Sequence, residues 1–281
     1  MGELMALSAA GCFGVTHFVS GLAARRVPGM AVSLYAQFGG TAIITVAALL
    51  WHQSPASVPA IGWGILSGAG TGIGVAFLYR AMSSGAFSVV VPISDVGAVA
   101  IPILVGLAVL GEHPAPTGLL GIAVALPAIW LTSAGSSSAD QERAAGGSAL
   151  RDALIAGGGF AVQFLGMARI PLSAGLWPIV ASRVVSVLVI LALVLGTATA
   201  RRMPVSWGSA AAGAGAIGSL AIVLYWVATH HQLMAVATVS AALYPAIPVL
   251  LALIFLRERV NRRQALGLFG AASAIALLAL P

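Results

Sequence analysis

Residues 86–110 read AFSVVVPISDVGAVAIPILVGLAVL, and this run decides the class of fold. It holds one ionisable side chain, Asp95, and is longer than the ~20 apolar residues a helix needs to cross hydrocarbon. An amphipathic helix of a soluble bundle would show a polar face, which this run lacks. Comparable runs precede it at 4–24, 31–51 and 60–81 and follow it at 116–134. Five more lie at 151–168, 174–196, 206–229, 233–256 and 263–280. The expected fold is all-α and polytopic, with ten transmembrane helices.

Composition agrees. The 281 residues are 60% hydrophobic and 7% charged, against roughly 25% charged in an average soluble domain. The net charge of +6 comes from arginines gathered near helix ends, which fits topology signals and not a nucleic-acid-binding face. Arg25, Arg26, Arg80, Arg143, Arg151, Arg201, Arg202, Arg257, Arg259, Arg262 and Arg263 fall in or beside odd-numbered loops, and Arg169 in an even one. Positive-inside asymmetry then puts odd loops in the cytoplasm and both termini outside. Cys12 is the single cysteine, which excludes an internal disulfide and a Cys-based metal site. The first run continues past Cys12 without a basic leader, so no removable signal is expected. No cofactor is expected.

The polar stretch between the fifth and sixth runs divides the chain into a first repeat (1–134), a flexible linker (135–150) and a second repeat (151–281). Sliding the sequence by 146 residues lays Leu78-Tyr79 on Leu224-Tyr225, Ser94 on Ser240 and Ile101-Pro102 on Ile247-Pro248. Glu112 falls on Glu258 and Leu120-Gly121 on Leu266-Gly267. The small-residue ridge Gly64, Gly68 and Gly72 lands on Ala210, Ala214 and Gly218, and such ridges let helices approach closely in lipid. His17 lands on Gln163, Phe18 on Phe164 and Gln37 on Arg183. Five helices per repeat is an odd number, so the second repeat enters the membrane from the opposite side. Inverted repeats of this kind frame the central sites of many secondary transporters.

With these features the sequence resembles the EamA branch of the drug/metabolite transporter superfamily over its whole length. The resemblance is carried by Pro102 through Gly111-Glu112 to Gly121, echoed by Pro248 through Arg257-Glu258 to Gly267. Gly14 and Phe18 in the first helix and Arg183 in the seventh also carry it. Gln37 and Phe13 depart from the pattern, where arginine and tryptophan would be expected. Among subgroups the chain is most similar to the YddG-type exporters of aromatic and other amino acids. The resemblance implies an exporter in a bacterial inner membrane, acting as a monomer on amino acids, by alternating access. Efflux of drugs or other metabolites is the alternative. A channel or membrane-embedded enzyme is the reading from another class, although the chain shows no filter motif, phosphate loop or metal-spaced cluster.

Polar residues within a bilayer are costly, so each needs a role. His17 and Gln163 read either as hydrogen-bonding groups lining a central cavity or as interhelical bonds. For His17, proton coupling is a further option. Tyr79, Tyr225 and Trp226 are candidates for the same cavity or for interfacial anchors, as are Trp177, Tyr244 and Tyr35. Asp95 could pair with Arg183 or Arg80, bind a substrate ammonium, or carry a coupling proton. Arg183 could hold a substrate carboxylate with two parallel hydrogen bonds. Glu112 and Glu258 suit the capping of helix-start amides. Pro92, Pro102, Pro245 and Pro248 interrupt the fourth and ninth helices and are candidate hinges.

Overall fold

A computed structural model describes residues 1–51, 55–84, 87–133, 147–195, 203–256 and 261–280. The linker stretch 134–146, and with it Arg143, lies outside them, as do Arg201, Arg202, Arg257, Glu258 and Arg259. Among the described residues every regular element is helical. In chain order they are α1 (Gly2–Ala24), α2 (Gly29–Leu50), α3 (Val58–Ser84), α4 (Phe87–Ala108) and α5 (Pro116–Ser133). Then come α6 (Gly147–Ala168), a 3-10 turn (Leu172–Ala174), α7 (Trp177–Leu195), α8 (Val205–Ala228), α9 (Met234–Ala242), α10 (Ala246–Phe255) and α11 (Arg262–Leu278).

Eight segments are long and apolar enough to cross a membrane, α9 and α10 together forming one of them, Met234–Phe255. This is the pattern of a multi-pass membrane protein. The two expected segments that fall short are helices all the same. Helix α6 carries Arg151, Asp152 and Gln163 among its 22 residues, and α11 has 17 and opens on Arg262-Arg263-Gln264. The exterior is apolar: Leu50, Leu104, Phe255 and Phe269 are all exposed. Such surface would be an aggregation hazard in water and is what a lipid-facing surface requires.

The interior is packed through small residues. A Cβ at Gly64 or Gly68 of α3 would collide with the backbone carbonyl oxygen of Pro178 or Ser182 on α7. On the other flank, Gly70 and Gly74 bring α3 against Gly159 and Phe160 of α6. The small-residue ridge expected from sequence is thus one side of a helix wedged between two others. The most extensive pairings cross from one half of the chain to the other. Helix α1 packs on α8, α3 on α6 and α7, α2 on α8 and α7, α4 on α6, and α5 on α11.

The four candidate hinge prolines behave differently. Helix α4 runs unbroken through Pro92 and Pro102. Pro102 has no N–H to offer the carbonyl of Ala98, one turn back. The matching helix, expected to be continuous over 233–256, is instead two helices separated at Leu243-Tyr244-Pro245. Pro245 caps α10, and Pro248 sits in its first turn, where a missing N–H costs little. Tighter bonds bridge the break, from the Ala246 amide to the Leu243 carbonyl and from Ile247 to Tyr244. Across the bundle, the Glu112 carboxylate accepts the Met234 and Ala235 amides at 2.7 and 2.9 Å. Glu112 therefore caps α9, a helix of the other half of the chain.

Candidate functional site

Helices α1, α2, α3, α4, α6, α7 and α8 surround a cavity of about 180 Å³, closed on one side by the α9–α10 break. Its wall mixes two kinds of side chain. Phe13, Phe160, Phe164 and Ile222 are apolar, whereas His17, Gln37, Thr71, Asp95, Gln163 and Arg183 bring hydrogen-bonding groups.

Each polar group is held by a partner on another helix or one turn away. Helix α3 presents Thr71, whose hydroxyl donates to Gln163 Oε1 at 2.7 Å, and Ser67, which donates to the Gln163 carbonyl at 3.0 Å. Arg183 of α7 donates through Nη1 to Gln37 Oε1 of α2 at 3.0 Å, while its Nε is buried without a partner. Asp95 of α4 accepts the Tyr244 hydroxyl at 2.6 Å and the Ser133 hydroxyl at 2.8 Å. Tyr244 reaches Asp95 because it stands in the break, where the helical path is interrupted. Its ring stacks on His17, centroids 4.6 Å apart. His17 Nδ1 lies 2.7 Å from the Phe13 carbonyl, which can only accept, so Nδ1 donates that hydrogen bond and Nε2 is the ring nitrogen left to the cavity side.

The structure therefore brings His17, Gln163, Arg183, Tyr244 and Asp95 to one cavity. Other candidates lie elsewhere. Tyr225 is buried behind Phe164, its hydroxyl shared between Thr238 at 2.9 Å and the Phe164 carbonyl at 3.3 Å. Trp226 donates from Nε1 to the Ile170 carbonyl at 2.7 Å, and Trp177 packs against the apolar core beside it. None of the three lines the cavity; the polar atoms of Tyr225 and Trp226 are taken up in helix–helix packing. The side chain of Tyr79 lies outside the described residues.

The expected ion pairs of Asp95 are also replaced. Arg80 pairs with Asp152, Nε to Oδ2 at 2.6 Å, over the ring of Phe77. The sequence puts Asp152 at a helix end. Helix α6 starts at Gly147, earlier than its polar residues suggest, and so buries that carboxylate. Among the described residues neither Asp95 nor Arg183 has an ion-pair partner. Sequence reading also passes over Phe13, Thr71 and Phe160 as cavity residues. Gln37 carries a signal, since the 146-residue offset lays it on Arg183, and the two side chains are in contact.

The whole chain superposes on a solved structure described only as "Crystal structure of protein". The TM-score is 0.73 and the sequence identity 16%, covering 99% of this chain and 96% of that one. The likeness is one of fold alone. No protein-family model and no curated protein matches the sequence.

Proposed function

We propose that this chain is an amino-acid transporter of the EamA type, an exporter in a bacterial inner membrane. In this reading ten helices form two inverted five-helix repeats, and substrate is moved by alternating access at a site between them. The observation that carries the reading is the cavity. It is lined from both halves of the chain, by Phe13, His17, Gln37 and Asp95 on one side and Phe164, Gln163, Arg183 and Tyr244 on the other. A volume of about 180 Å³ suits a metabolite better than the roughly 300–1,000 Å³ sites of drug-sized ligands. That size favours amino acids over amphipathic drugs.

The repeat arrangement is supported by the crossed pairings α1–α8 and α3–α6, each joining the first helix of one half to the third of the other. Gln37 and Arg183, whose positions differ by 146, touch one another, as residues beside a two-fold axis would. In this reading helices α6 and α11 are the two further spans, and Gln163 of α6 is held by Thr71 inside the bundle.

The test is movement of a panel of labelled amino acids in proteoliposomes, with and without a pH gradient. Saturable transport with counterflow, weakened by His17→Ala or Gln163→Ala in well-folded protein, is the expected result. Unsaturable flux would indicate a channel. No movement of any amino acid would end the substrate assignment.

A further inference from the structure

The cavity wall carries two ionic side chains of opposite sign, Arg183 and Asp95, each 6% exposed. They do not neutralise each other, and no other ion pair reaches either among the described residues. Their hydrogen bonds are to neutral groups, the Gln37 amide for Arg183 and the Tyr244 and Ser133 hydroxyls for Asp95. The titratable group facing Asp95 is the His17 ring, stacked on Tyr244 and not within ion-pair distance. A buried ion without a counter-ion is costly, and neutral dipoles offset only part of that cost. Arg183 Nε, fully buried, has no acceptor at all. On the Asp95 side, Ala98 lies one turn on and also lines the cavity, and Pro102 leaves its carbonyl without the helical donor.

A cationic ligand would balance one pole and leave the other unmet, and an anion would do the reverse. We propose that the occupant is a zwitterion whose carboxylate is held by Arg183 with Gln37 and whose primary ammonium is held by Asp95, with Tyr244 orienting the carboxylate of Asp95. The apolar part of the ligand is left to Phe13, Phe160 and Phe164. This rests on the transport reading above and sharpens it by requiring both charged ends.

Binding is measured by calorimetry on the full chain in nanodiscs, with a set that deletes one charge at a time. L-Phenylalanine is compared with phenylalaninamide, phenethylamine and hydrocinnamate, and L-leucine with isoamylamine and isocaproate. Transport of the two amino acids is followed in parallel. Each single-charge analogue is expected to bind roughly 100-fold or more weakly, because a buried partner is left unmet. Arg183→Gln should narrow the gap for the amines and Asp95→Asn the gap for the acids, opposite shifts that general damage would not produce. If the wild-type protein binds analogues and amino acids equally while saturable transport persists, the charge assignment falls and transport stands. If neither amino acid binds or moves, both fall. The wild-type comparison decides the matter even where a variant fails to fold.

Discussion

Helix α4 and the α9–α10 pair align at the 146-residue offset, with Pro102 on Pro248 and Ser94 on Ser240, yet one is continuous and the other broken. The difference lies in what surrounds the shared proline. Val99 of α4 stands where the second segment has Pro245, and Ala98 where it has Tyr244. Two prolines three residues apart terminate one helix and start another, whereas Pro92 and Pro102, ten residues apart, leave α4 intact. The break in turn frees Tyr244 to reach Asp95, the one acidic residue of α4. The position matching Asp95 is Ala241, fully buried. What is lost in helical regularity on one side therefore provides the donor that makes a buried carboxylate tolerable on the other.

The contrast is most severely tested by Ala241→Asp. Ala98 and Ala279 stand where a copy of the Asp95 site would need Tyr244 and Ser133. The new carboxylate should cost about 3–5 kcal/mol and abolish folded protein on size-exclusion of the solubilised chain. Normal folding would show that buried carboxylates here need no donors. Next in size is Tyr244→Phe, which leaves Asp95 with Ser133 alone and should lower stability by about 1–3 kcal/mol in thermal unfolding. Adding Asp95→Asn should then cost less than it does alone, and simple additivity would mean the two groups are not coupled. The smallest effect expected concerns the prolines as hinges. Pro102→Ala and Pro248→Ala should each slow turnover roughly tenfold, about 1.4 kcal/mol on the barrier, with substrate binding held. Equal loss of binding and rate would reduce both prolines to structural kinks.

The helical fold was legible because apolar runs of membrane length dominate the chain and polar residues mark their ends. Gly64 and Gly68 likewise declared a close helix contact, since only missing side chains permit one. His17 and Gln163 were legible as cavity candidates, and Asp95 and Arg183 as groups in need of a partner, for a related reason: a polar group within an apolar run must face something other than lipid. The partners were not legible. Tyr244 lies 149 positions from Asp95, and reaches it through a break that a continuous apolar run does not announce. Tyr225 misled because correspondence at the offset reports shared packing as readily as shared chemistry. Asp152 was missed because α6 begins in a stretch of Gly and Ser that reads as linker.

Where Gly64 and Gly68 of α3 meet α7, through the carbonyls of Pro178 and Ser182, main chain rests on main chain. Side chains elsewhere act as a compressible bearing that rotamer changes can reshape, but here there is no such layer. Helix α3 is seated in the same way on α6 at Gly70 and Gly159, so α3 meets both neighbours backbone to backbone, and a larger residue at any of these glycines would push the helices apart. Between α1 and the α9–α10 break the contact is of the other kind, the stacked rings of His17 and Tyr244, where side chains and not main chain set the spacing.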